Sequence, residues 1–123
     1  MTQHTRRVLV VEDEEMIANL LLTVIEASGP QVTSCPSVAS AMDTLGQVTF
    51  DAALVDLTLP DGAPDVVIAA LRAKNVPVIV ISGDPDRLGR HPDLPGLSKP
   101  FRMKTLMAQL EACLAEGMPA SPP

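Results

Sequence analysis

Short apolar runs, each cut off by a polar residue, constrain this chain more than any other feature. Arg7 to Val11 (RVLVV), Ala52 to Val55 (AALV) and Val78 to Ile81 (VIVI) have strand length and almost no polar interruption. Runs of this kind, unlike alternating ones, belong to strands covered on both faces. Gln31 to Cys35 is a second short strand in chain order, and Leu97-Ser98 is at most a very short fifth. Between the runs, apolar residues recur at helical spacing. Met16, Ile17, Leu20, Leu21 and Val24 mark a first helix, which Ser28-Gly29-Pro30 ends with a glycine cap and a following proline. Ser37 is the N-cap of a second helix that runs through Leu45 and stops at Gly46. Pro64 suits the first turn of a third, through Lys74. Arg102 to Glu116 is a last amphipathic helix with Leu106, Leu110 and Leu114 on one stripe. Buried strands alternating with helices predict a doubly wound, five-stranded parallel α/β sheet.

In such sheets ligands bind outside the carboxyl ends of the strands, and the polar residues that end the runs all fall there. Glu12 and Asp13 follow strand one, Asp56 ends strand three, Ser82 ends strand four, and Lys99 follows strand five. Adjacent strands lie about 5 Å apart, so these side chains are expected to converge. Clustered carboxylates stay ionised at neutral pH only where cations offset them. Lys99 supplies one positive charge. Mg²⁺, which prefers carboxylate oxygens and water, would supply the rest. An ionised Asp56 beside that metal is a competent nucleophile for phosphoryl transfer, with Ser82 as a hydrogen-bond donor to the incoming group.

The segments VLVVEDEE, ALVDLTLPDG and VIVISGD…LSKPF together resemble the bacterial response-regulator receiver domain, from about Arg7 to Leu114. The resemblance implies a flavodoxin-like receiver fold and makes Asp56 the phosphoacceptor. It makes Asp13 a direct Mg²⁺ ligand, has Glu12 act through a bound water, and adds the backbone carbonyl of Thr58. Lys99 would pair with the phosphoryl group, and its bond to Pro100 is expected to be cis. Ser82 stands where the family has a Ser or Thr that follows the phosphoryl group, and the Gly83 amide is placed to donate to it. The sequence also departs from the family. Gly96 occupies the position, three before Lys99, where a switch aromatic is usual. The stretch from Gly83 to Pro95 is short and carries Pro85, Gly89, Pro92 and Pro95, so the fourth helix should be short, irregular or absent.

The blander readings are these. Glu14 and Glu15 suit a solvated helix start, where the helix dipole favours acids. Asp56 alone would cap the loop before Pro60, Ser82 would be a turn residue, and Lys99 a surface lysine. What lifts them is their joint placement at successive strand ends. Phe101, Met103 and Met107 read as packing, and His4 and His91 as solvent-exposed.

A net charge of −6 with a pI near 4.7 argues against nucleic acid as a partner. Two well-separated cysteines, Cys35 and Cys113, fit a reduced compartment. No apolar run approaches the ~20 residues of a membrane helix, and the N-terminal segment lacks the apolar stretch of a signal peptide. The expectation is a cytoplasmic protein with no membrane association. Residues 1–116 are expected to form one domain and the Pro-rich residues 117–123 a disordered tail. With no output domain after Glu116, three roles are expected: a stand-alone receiver acting by protein contact, a phosphate shuttle or sink, or a piece of a hybrid kinase. The partners would be a sensor histidine kinase or phosphotransfer protein, and a downstream protein target. Two rivals are a receiver-like binding module that has lost phosphorylation and a flavodoxin-like cofactor binder. The latter would need a phosphate-cradling loop where this chain has four consecutive acids, Glu12 to Glu15.

Overall fold

The computed structural model of the chain describes residues 5–116. Strands β1 (Arg7–Val11), β2 (Gln31–Cys35), β3 (Ala52–Asp56), β4 (Val78–Ser82) and β5 (Gly96–Ser98) alternate with helices α1 (Glu15–Ala27), α2 (Val38–Leu45), α3 (Asp65–Ala73), α4 (Pro85–Gly89) and α5 (Met103–Glu116). The strands form one parallel sheet in the order β2-β1-β3-β4-β5. This is the expected doubly wound architecture. Helix boundaries fall within a residue of those read from sequence: Pro64 is the N-cap of α3 and not its first residue, and α5 begins at Met103.

Successive strand residues point to opposite faces of a sheet, which divides the core in two. Leu9, Val11, Ala53, Val55, Val78 and Val80 meet Ala41 and Leu45 of α2 and Val67, Ile68 and Leu71 of α3. Val8, Val10, Ala52, Leu54, Ile79 and Ile81 meet Leu21 and Ile25 of α1 and Leu106, Leu110 and Leu114 of α5. Both faces are thus dry, which is why β3 and β4 are apolar up to their last residues, Asp56 and Ser82, and buried at every position. Cys35 packs on one face and Cys113 on the other, so no disulfide joins them. Phe101, Met103 and Met107 pack against the α1–α5 face, as expected.

Local signals close the elements. Ser37 and Ser40 form a reciprocal capping box at the start of α2. The Asp61 carboxylate, from the loop after β3, accepts the amides of Val38 (2.9 Å) and Ala39 (3.1 Å), which ties that loop to α2. Helix α4 has five residues. Its Leu88 packs against the α2–α3 core face and lies directly over β5, where a β-carbon built on Gly96 would stand 3.2 Å from Leu88 Cδ2. The short fourth helix was legible from its prolines. Its close seat on a strand glycine was not.

One expectation fails. His91 is not solvent-exposed: its side chain is 17% accessible, and Nε2 sits 3.4 Å from Asp65 Oδ1. The turn after α4 folds back toward the N-terminus of α3, and His91, Arg87, Arg90 and Asp65 line a cavity of about 140 Å³ there. His4 lies outside the described residues, as does the tail 117–123.

Among the described residues no helix is long and apolar enough to cross a membrane.

Candidate functional site

The strand order places β1 between β2 and β3, so the chain leaves β1 in one direction for β2 and returns on the other side for β3. A crevice opens at that reversal, outside the carboxyl ends of β1 and β3. Backbone bonds carry the ladder just past the strands and fix what projects into it. Glu12 N donates to Cys35 O (3.0 Å), Leu57 N to Ile81 O (2.8 Å) and Lys99 N to Ser82 O (2.9 Å).

Asp56 is the last residue of β3 and 2% exposed. Its Oδ1 accepts the amide of Thr58 at 2.8 Å and its Oδ2 accepts Lys99 Nζ at 2.9 Å. Glu12 is equally buried. Its Oε2 accepts the Glu14 amide at 3.1 Å. Its Oε1 lies 2.9 Å from Lys99 Nζ as an ion pair and makes no hydrogen bond. Asp13, one residue on, is exposed at the mouth. Carboxylate oxygens of Glu12, Asp13 and Asp56 all lie within 4.8 Å of one another.

Lys99 binds this group from the β5 side, and its bond to Pro100 is cis, as expected. Burial works against the ammonium, but the Asp56 and Glu12 carboxylates outweigh it and hold its pKa above the ordinary lysine value. Lys99 therefore carries its charge throughout the physiological range. For Glu12, burial and the adjacent Asp56 carboxylate push the pKa from 4.5 to about 7, opposed by Lys99 and the Glu14 amide. One ammonium does not neutralise three clustered carboxylates. An orphaned buried oxygen on Glu12, two further carboxylates within reach and an all-oxygen donor set fit a hard divalent cation, so the residues present suit Mg²⁺.

The remaining sequence candidates lie around this centre. Ser82 ends β4 fully buried, and its Oγ accepts the Asp84 amide at 3.0 Å. The hydroxyl therefore performs the turn-bracing role that was the blander reading of this residue. Gly83 runs alongside Lys99: a β-carbon built on it would be 4.0 Å from Lys99 Cβ. Thr58 contributes its amide to Asp56.

One member of the site was missed. Glu14, read as part of a solvated helix start, brings Oε1 to 3.2 Å of Lys99 Nζ. Nothing in the run of acids distinguishes Glu14 from Glu15. The signal is positional: Glu14 is the N-cap of α1 and directly follows the strand-end acids Glu12 and Asp13.

The sequence from 8 to 111 matches the family described as the response regulator receiver domain. Among curated proteins, the chain is similar to the KDP operon transcriptional regulatory protein KdpE of Escherichia coli K12, 34% identical over 113 residues, covering 87% of this chain and 50% of that protein. It is also similar to the phosphate regulon transcriptional regulatory protein PhoB of Escherichia coli K12, 29% identical over 123 residues, covering 93% of this chain and 54% of that protein. The chain thus spans about half the length of these relatives. Among solved structures, a CheY-like response regulator receiver domain from Methylobacillus flagellatus superposes with a TM-score of 0.79 at 26% identity, covering 89% of this chain and 99% of that one.

Proposed function

Because the chain belongs to the response regulator receiver domain family, we propose that it is a two-component signalling receiver whose Asp56 accepts a phosphoryl group from a phosphohistidine. The observation that carries this reading is a buried carboxylate with one oxygen on Lys99 at 2.9 Å and two more carboxylates within 4.8 Å.

In the proposed reaction an oxygen of Asp56 forms a bond to phosphorus while the phosphorus–nitrogen bond of the donor breaks. The electron pair stays on the imidazole nitrogen, which takes a proton from water. Asp56 is held for this at both oxygens, by Thr58 N and Lys99 Nζ, so little reorientation is needed before attack. Glu12, Asp13, Asp56 and the carbonyl of Thr58 would hold Mg²⁺, which supplies charge neutralisation for the phosphoryl oxygens. Lys99 offers its ammonium to one of those oxygens. Gly83 N and the Ser82 hydroxyl complete the donor set, since Ser82 Oγ accepts the Asp84 amide and keeps its own proton to donate. Hydrolysis of the acyl phosphate returns Asp56 to its carboxylate. The chain is on this reading a signalling module that catalyses its own phosphorylation and dephosphorylation, not an enzyme acting on an external metabolite.

The donor would be a sensor histidine kinase or phosphotransfer protein. An apolar groove beside the site supports delivery by a protein: Ile17, Leu20, Phe101 and Met103 flank Lys99, and Met16 and Leu20 are 85% and 51% exposed. Signal output would be contact with a downstream protein, or phosphate flow through a shuttle or sink. Nucleic acid and membrane are not among the proposed partners, and the proposed location is the cytoplasm.

Incubation with acetyl phosphate and Mg²⁺, read by intact mass, tests the assignment. The wild type should gain one phosphoryl group and Asp56→Asn none. Phosphorylation retained in Asp56→Asn would transfer the acceptor role to another residue.

A further inference from the structure

Lys99 is bound on three sides. Two of its neighbours, Glu12 Oε1 and Asp56 Oδ2, each at 2.9 Å, belong to side chains that are 1% and 2% exposed. The third, Glu14 Oε1 at 3.2 Å, belongs to a side chain that is 59% exposed. Of the three N–H bonds of Lys99, one goes to Asp56 and one to Glu14, while Glu12 Oε1 stands beside the ammonium as an ion pair without a hydrogen bond. The Glu14 side chain does not serve the helix it precedes, for it makes no capping hydrogen bond to α1. Its polar contact in the site is with Lys99, made from a largely exposed side chain.

A phosphoryl group arriving on Asp56 brings anionic oxygens that need the same ammonium. Glu14 then opposes it twice. It competes for one N–H of Lys99, and its carboxylate repels the arriving dianion across a few ångströms of partly screened space. Neither effect disturbs Glu12, Asp13 or Asp56, whose oxygens form the cation-binding group without Glu14.

We propose that Glu14 weakens the phosphoryl-bound form by competing with the arriving group for the Lys99 ammonium. The proposal rests on the reading of Asp56 as phosphoacceptor. It makes Glu14 a built-in limit on how readily the site fills and how long it stays filled.

The test measures binding of beryllofluoride, a phosphoryl mimic, at saturating Mg²⁺ in wild type, Glu14→Gln and Glu14→Lys. Removing the charge should tighten binding about fivefold, the scale of one exposed charge pair. Reversing it should tighten binding further, and both gains should shrink as salt is raised from 0.05 to about 0.5 M. A merely structural role for Glu14 predicts weaker binding in both variants and no salt dependence of the difference. Equal or weaker binding in both variants, with the wild type still taking up the mimic, overturns this proposal alone. A wild type that takes up no mimic overturns the phosphoacceptor reading, and this proposal with it.

Discussion

Glu12→Gln should stabilise the protein in the absence of divalent metal, and the geometry sets the size. The Glu12 pKa is raised from 4.5 to about 7, by burial first and the Asp56 carboxylate second. For an acid, a raised pKa means that the folded protein binds the proton more tightly than the unfolded chain. The associated stability is therefore fully present below pH 4.5, is lost as pH rises toward 7, and stays lost above. At 1.36 kcal/mol per unit, the ionised form costs about 3 kcal/mol. The site opens at its mouth, where Asp13 is exposed and water screens part of the repulsion, so about 2 kcal/mol is expected. Glutamine keeps the shape and carries no charge to desolvate. In a chelating buffer at pH 8, Glu12→Gln should exceed the wild type by about 2 kcal/mol in urea unfolding with an unchanged m-value. The gap should close by pH 4.5. Mg²⁺ should reverse the order, since ligand at 100 times its dissociation constant adds about 2.7 kcal/mol to a protein that binds it and the variant binds it less well. A variant no more stable than the wild type at pH 8 in chelator, or a gap that does not change with pH, would refute the reasoning.

Asp13→Ala should lose Mg²⁺ affinity and acetyl phosphate reactivity together while folding normally, because Asp13 is exposed and its carboxylate belongs to the cluster proposed to hold the cation; equal Mg²⁺ titrations of variant and wild type would remove it from the ligand set. Gly96→Phe should cost about 1–3 kcal/mol, since its β-carbon alone would come within 3.2 Å of Leu88. Adding Leu88→Ala should recover part of that loss, and purely additive unfolding energies would show that the two positions do not share the space.

Much of the site was legible because its chemistry interrupts a simple pattern. A strand buried on both faces has no use for a polar residue, so Asp56 after AALV and Ser82 after VIVI announced themselves, and topology brought them to one end. The second helix was legible for a different reason: Ser37 caps it through a local bond to Ser40, which sequence neighbours can forecast. What stayed hidden depends on contacts between distant residues with no required partner type. Glu14 meets Lys99 across 85 positions, and an acid at a helix start is satisfied by solvent as readily as by lysine. His91 meets Asp65 because the turn after α4 folds back, and no local rule fixes the path of that turn. Ser82 was identified, but its present bond to the Asp84 amide followed from the turn chemistry and not from the site.

The seat of Leu88 on Gly96 carries a consequence for how this chain can vary. In the family the position of Gly96 usually holds an aromatic, and here the Leu88 side chain of α4 presses on the place of the first side-chain atom. The length of the segment between β4 and β5, the residue at 88 and the residue at 96 thus form one linked choice. A homologue with a ring at 96 has to lift or lengthen its fourth helix, and one that keeps the five-residue helix has to keep a small residue beneath it. In an alignment of close homologues these three features should change together or not at all.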